Sequence, residues 1–210
     1  RLGTKAGILV GTQILAKGHD LPRLTMVVVV GIDEGLFSAD FRAAEKLSQQ
    51  LIQVAGRAGR ADRPGEVWLQ THHPDHLLLQ TLVNGGYHAF ADAELQQRQA
   101  AGFPPFAHLA LFRAEAKDVA AANQFLIAVR GLASTDSSTQ SAALTAVECY
   151  GPMPAPMPRR AGFQRSQLLL SAQHRPALHR LLDTQLPAIY ALPQARRVRW
   201  SLDVDPIDLY

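Results

Sequence analysis

Two short runs near the start of the chain, GILVGTQ and MVVVVGI, are apolar, rich in β-branched residues and bounded by glycines, which predicts short buried strands. From Phe41 to Gly56 the apolar positions recur at helical spacing, and EVWLQT then returns to a strand pattern. Strand alternating with helix predicts a parallel sheet, and four consecutive valines predict a strand covered on both faces. Asp75 to Arg98 reads as two helices broken at Asn84-Gly85-Gly86, where glycine lets the backbone turn. AGFPPF, residues 101 to 106, cannot continue a helix, and a domain boundary is placed there.

Beyond that boundary the order changes. Strands are predicted at about 107 to 115, 144 to 150, 166 to 172 and 196 to 204, with helices at about 117 to 133 and 175 to 190. The first helix carries a stripe of Val119, Ala122, Leu126, Val129 and Ala133; the second carries Leu178, Leu181, Leu182, Gln185 and Ile189, with Pro176 suited to its first turn. This β-α-β-β-α-β order is that of a ferredoxin-like α+β domain, in which two helices cover one sheet face and leave the other for a ligand. In the last strand Val198, Trp200, Leu202 and Val204 alternate with Arg197, Arg199, Ser201 and Asp203, so one face packs and the other presents two arginines. The connection from Ser134 to Ser141, rich in Ser and Thr, reads as a mobile loop.

Composition narrows the class. An apolar fraction of 47% in 210 residues supports a real core and one large or two small domains. The longest apolar run, MVVVV, is far short of a membrane span, and no signal peptide is visible. A single cysteine, Cys149, builds neither an internal disulfide nor a cysteine-rich zinc site, which makes a reducing cytoplasm the expected compartment. Charge is uneven: residues 1 to 100 sum to zero, whereas residues 151 to 199 hold eight arginines against one acid, Asp183. Either a polyanion partner or a solvated basic face accounts for such a cluster.

Candidate chemistry lies in three places. GTQILAKGHDLP, residues 11 to 22, follows a predicted strand, and strand-end loops are where parallel sheets bind ligands. QVAGRAGR sets Arg57 and Arg60 three apart at a helix end, near enough to converge on one phosphate, with Gly56 and Gly59 allowing close backbone approach. Taken alone, GRAGR also fits a helix terminus with two solvated arginines. In GPMPAPMPRRAGFQRSQLLL, Arg159, Arg160 and Arg165 surround Phe163, a composition suited to phosphate contacts and base stacking; a stiff proline linker is the plainer reading. His72, His73 and His76 in THHPDH have zinc-like closeness but no cysteine nearby, and the segment reads as a connector with no metal. Asp33 and Glu34 after VVVVG imitate a magnesium-holding acid, yet no G-x-x-x-x-G-K-[ST] precedes them, and that role is rejected.

GTQxxAKGxD followed by QxxGRxGR resembles motifs V and VI of superfamily 2 helicases. The resemblance is closer to the bacterial primosomal replication-restart helicases, the primosomal protein N′ or PriA family. DFRA at residues 40 to 43, LQTHHPDH, the GGY break, FPPF and the terminal WSLDVDP carry it along nearly the whole chain. It implies that residues 1–74 are the later part of the second RecA-like helicase lobe, 75–103 a helical connector and 104–210 a DNA-binding C-terminal domain. By position it gives Arg57 and Arg60 the arginine-finger role at the γ-phosphate and places Gln53 near the same phosphates or a catalytic water. Gly18, Asp20, Gly56 and Gly59 fall in the nucleotide-linked stretches. Thr12 and Gln13 are expected on a tracked DNA strand, and Arg159, Arg160, Phe163, Arg165, Arg197 and Arg199 on DNA bound by the C-terminal domain.

The resemblance also implies what the chain lacks. A P-loop, a DExH acid and the family's zinc-binding cysteines are not in this sequence, so ATP and Mg²⁺ are expected to bind only where another lobe completes the site, and zinc only in an upstream segment. The chain is read as a C-terminal fragment, inactive alone, with Arg57 and Arg60 facing solvent. Forked or single-stranded DNA, primosome proteins and single-stranded-DNA-binding protein are the implied partners of a cytoplasmic, nucleoid-associated monomer. Two other classes stay open: a non-catalytic nucleic-acid- or primosome-binding module with a degenerate lobe, and a metabolic enzyme that uses GRAGR for a small anion.

Overall fold

The structure is a computed structural model and describes residues 7–12, 24–38, 40–59, 64–135 and 146–209. The chain divides into two compact units, Arg1–Ser38 with Arg42–Glu94, and Ala39–Phe41 with Leu95–Tyr210.

Unit 1 contains strands β1 (Met26–Val29) and β2 (Glu66–Leu69), with helices α1 (Asp33–Leu36) and α2 (Ala43–Ala55) between them; α3 (Leu77–Ala101) follows. The strands pair in parallel, from Met26 opposite Glu66 to Val29 opposite Leu69, as the strand–helix alternation predicts. Ile32, Leu51 and Leu79 are buried, with Val29, Leu36, Leu47, Leu69 and Leu82 packed around them. The other sheet face differs from expectation: Met26, Val28 and Trp68 are 48%, 57% and 60% exposed, so among the described residues nothing covers the alternate valines. GILVGTQ also departs from its strand pattern. Residues 7–12 form no strand, and Ile8 is 92% exposed, because a strand exists only through a ladder partner and none of the described residues supplies one. In α3 the helical path breaks at Gly86, whose φ of 73° and ψ of −170° only glycine adopts easily.

Unit 2 follows the order β3 (His108–Ala116), α4 (Val119–Thr135), β4 (Val147–Arg160), β5 (Phe163–Ala172), α5 (Arg175–Ala191), a 3₁₀ turn (Pro193–Arg196) and β6 (Arg199–Val204). The sheet runs β4-β5-β3-β6, and every neighbouring pair is antiparallel. Alternate β3 residues Ala110, Phe112, Ala114 and Ala116 meet Ala122, Leu126, Val129 and Ala133 of α4 and Leu178, Leu181, Leu182 and Ile189 of α5. Both predicted stripes thus reach the core, except that Val119 is 46% exposed and Gln185 only half-buried. Phe125, off the predicted stripe, is wholly buried, with its ring 5.4 Å from Trp200. Burying a side chain such as Phe112 or Phe125 stabilises the fold by about 1.5–3 kcal/mol. Phe41 belongs to this unit and stacks on Phe103, ring centroids 5.4 Å apart.

Two expectations are corrected here. GPMPAPMPRR is no linker: it is the long outer part of β4, paired with β5 through two register shifts. Its prolines fall at every second position, 152, 154, 156 and 158. An edge strand at irregular pairing accommodates them, because it has a neighbour on one side only and the shift between Pro154 and Arg159 leaves residues 155–158 out of the regular register. β6 begins only at Arg199, since Pro193–Arg196 forms a 3₁₀ turn; Arg197 caps that turn and is not on the strand.

Candidate nucleotide and nucleic-acid sites

The QVAGRAGR segment closes α2. Gln53 lies exposed on its last turn, Gly56 is the C-cap, and the Arg57 and Ala58 amides donate to the carbonyls of Val54 and Ala55 at 3.0 and 3.2 Å. Gly59 then takes a φ of 76° and donates its N–H to the Leu24 carbonyl, 3.0 Å away, just before β1. Within the chain, the closest approach at this turn is that of Gly65 to Gly59. A Cβ on Gly65 would lie 2.2 Å from the Gly59 nitrogen, whereas one on Gly56 would meet nothing nearer than the Ile52 carbonyl oxygen at 3.4 Å. Arg57 is half-buried, with its Nε out of solvent, so it is less open than the solvent-facing position expected of it. Thr12 is exposed; Gln13, Gly18, Asp20 and Arg60 lie outside the described residues.

Asp33 and the histidines of THHPDH make a local structure of their own. The Asp33 carboxylate accepts from the Thr71 hydroxyl and, at 3.1 Å, from the His72 amide. These two bonds, the Thr71 one foremost, hold its pKa below the ordinary 3.8. The Phe37 ring meets His73 and His76 edge-on, at 4.6 and 5.3 Å. Both oxygens of Asp33 are therefore engaged by the protein's own donors, and two of the imidazoles pack on an aromatic ring.

In unit 2 the residues of the basic segment part company. Arg159 and Arg160 are exposed at the tip of the β4–β5 hairpin, whose turn residues Ala161 and Gly162 have φ of 49° and 81°. Two left-handed residues make the tight turn that matches strand twist. Across the ladder Arg160 stands opposite Phe163, and Arg165 opposite Glu115, which in turn faces Arg199. Directly opposed residues share a sheet face, so Arg160, Phe163, Arg165, Glu115 and Arg199 lie on the helix-free side. Arg199 sits over the Phe163 ring, 4.5 Å from its centroid. That side is only partly open, because Leu109 and Leu111 at one end are buried to 1% and 0%. Arg175, by contrast, pairs with Asp205, while Arg180, Arg196 and Arg197 are exposed on or after α5. Arg113 and Glu115 on this face escaped the sequence reading, although their strand alternation was the available signal; Asp203 was read on the arginine face but not as a partner of Arg113.

The family model described as the primosomal protein N C-terminal domain matches residues 99–207, just over half of the chain. The chain belongs to the PriA family of replication restart proteins. A second model, the helicase conserved C-terminal domain, matches residues 1–62. Replication restart protein PriA of Haemophilus influenzae is 48% identical over 205 residues, covering 98% of this chain and 27% of that protein. The PriA proteins of Synechocystis and Bacillus subtilis are 39% and 33% identical over 166 and 202 residues, covering 79% and 96% of this chain and 19% and 24% of theirs. The chain thus spans roughly a quarter of the length of these PriA relatives. Gln53 and Arg57 fall inside the helicase match, and the arginine hairpin inside the PriA C-terminal match. Among the described residues, no helix is long and apolar enough to cross a membrane.

Proposed function

We propose that this chain is the C-terminal part of an ATP-dependent DNA helicase that restarts stalled replication, with unit 1 supplying the motif V and VI half of an ATP site. In this reading Arg57 and Arg60 place positive charge on the transferring γ-phosphoryl group, and Gln53 lies beside the phosphates or the attacking water. ATP and Mg²⁺ are held chiefly by the other lobe of the complete protein. The observation that carries the reading is QVAGRAGR at the end of α2, its turn pinned by Gly59 and Gly65, inside the region matched to a helicase domain. In the complete helicase, Arg57→Ala or Arg60→Ala should lower ATP turnover by about 10³–10⁵, the usual weight of an arginine finger. ATP hydrolysis by the 210-residue chain alone would show that it holds a whole site.

Unit 2 is read as a ferredoxin-like DNA-binding domain, supported by its strand order and the basic hairpin. Arg159 and Arg160 neutralise phosphates of forked or single-stranded DNA. Replacing both by Ala should weaken binding and flatten its dependence on salt, because each phosphate contact releases counterions. A salt-independent affinity, or one untouched by the double substitution, would rule out the hairpin as the contact.

A further inference from the structure

The helix-free side of unit 2 contains a groove of about 280 Å³ lined by Arg113, Glu115, Arg165 and Arg199. Its charges nearly cancel. Glu115 lies 3.6 Å from Arg199, and Arg113 is held by Asp203 at 3.0 Å and Asp208 at 3.7 Å. A carboxylate in the middle of the row repels a phosphate, so this is a poor place for the DNA backbone. The groove is smaller than the pocket of about 300–1,000 Å³ that takes a drug-sized ligand. A flat, neutral group with both donors and acceptors on its edge fits it better.

A nucleobase has that description, and the row discriminates among bases. Guanine carries N1–H and the N2 amino group side by side, two donors that one carboxylate can accept together, next to an O6 acceptor for an arginine. Thymine offers one N–H flanked by two carbonyl oxygens, which a carboxylate repels. Arg199, backed by the Phe163 ring at 4.5 Å, gives a cationic surface for the base to stack on.

We propose that this groove receives one unstacked guanine of single-stranded DNA. Glu115 accepts from its Watson–Crick edge, Arg199 stacks on its face, and Arg113 or Arg165 donates to O6. This rests on the reading of unit 2 as a DNA-binding domain and adds base selectivity to it. Arg160, on the same sheet face at the hairpin tip, is left to carry the phosphates.

The test is fluorescence anisotropy of the intact chain with a labelled oligothymidylate, compared with the same strand carrying one central deoxyguanosine or one deoxyinosine. The single guanine should tighten binding about tenfold, within the range of a good bidentate base contact. Inosine, lacking the N2 amino group, should recover only part of that gain. Glu115→Gln should erase the guanine preference without weakening binding to plain oligothymidylate, and Phe163→Leu should reduce it. An unchanged circular-dichroism melt establishes that each variant is folded. Equal, steeply salt-dependent binding of all three strands would overturn the guanine site and leave the DNA-binding reading standing. A preference that survives Glu115→Gln would overturn the assignment of the carboxylate. Absence of binding to any strand would overturn both readings.

Discussion

Unit 1 and unit 2 are both built from alternating apolar patterns, but among the described residues unit 2 closes its pattern into much the larger core. Around β3 and β5, helices α4 and α5 bury Phe112, Phe125, Leu126, Leu168, Leu170 and Leu178 to 0 or 1% exposure. In unit 1 the centre is Ile32, Leu51 and Leu79, and the far face of a two-stranded sheet is bare at Val28 and Trp68. A two-stranded sheet with one uncovered face is marginal. Stability should accordingly be unequal between the units.

The two tryptophans make that difference measurable, since Trp68 lies in unit 1 and Trp200 in unit 2. The largest expected effect is Phe125→Ala, which should cost unit 2 about 3–5 kcal/mol. Urea unfolding followed by Trp200 fluorescence in a Trp68→Phe background checks it; a shift well under 1 kcal/mol would mean that the core is not centred on α4. Next comes Gly65→Ala, whose Cβ cannot fit against the Gly59 nitrogen at 2.2 Å. Overpacking of this kind costs about 1–3 kcal/mol and should move the Trp68 transition while leaving that of Trp200 in place. If both transitions move together, the units do not unfold separately.

Smaller effects separate the units by chemistry. Because the carboxyl of Asp33 has a folded pKa below 3.8, its stabilisation is fully present above that value and is lost as pH falls through the lower folded one. In the Trp68 signal, Asp33→Asn should therefore remove an acid-dependent loss of stability that the wild type shows. An identical acid profile would exclude the Thr71 and His72 bonds as its origin. Smallest is a difference in rate at Cys149: burial pushes this thiol's pKa up despite the opposing charge of Arg130, so alkylation at neutral pH should lag behind a free cysteine. Equal rates would show that the β4 end of the unit 2 sheet is looser than its core.

The same contrast sets what could be read without the structure. The α4 and α5 stripes and the α2 helix were legible because each is a local period, the Gly86 break because its glycines are a local turn signal, and the parallel pairing of β1 and β2 because strand alternates with helix along the chain. Residues 7–12 of the strand expected at GILVGTQ find no ladder partner among the described residues, and pairing of that kind is not recorded by a local pattern. The proline-rich hairpin was hidden because its prolines suggest a linker, and only the edge position of β4 reconciles them with a sheet. Charge was legible as a sum and not as a map. The arginine-rich window excludes Glu115, Asp203, Asp205 and Asp208, the acids that meet Arg199, Arg113 and Arg175 in space.

The spacing of the prolines in β4 has one more consequence. At fourteen residues this is the longest strand among the described residues, and it lies on the outside of its sheet, where such a length ordinarily invites another chain to add itself. With no N–H at residues 152, 154, 156 and 158, this stretch of β4 has four fewer donors to offer an incoming strand. The stretch that carries the arginine pair outward is thereby also the one least able to seed an aggregate.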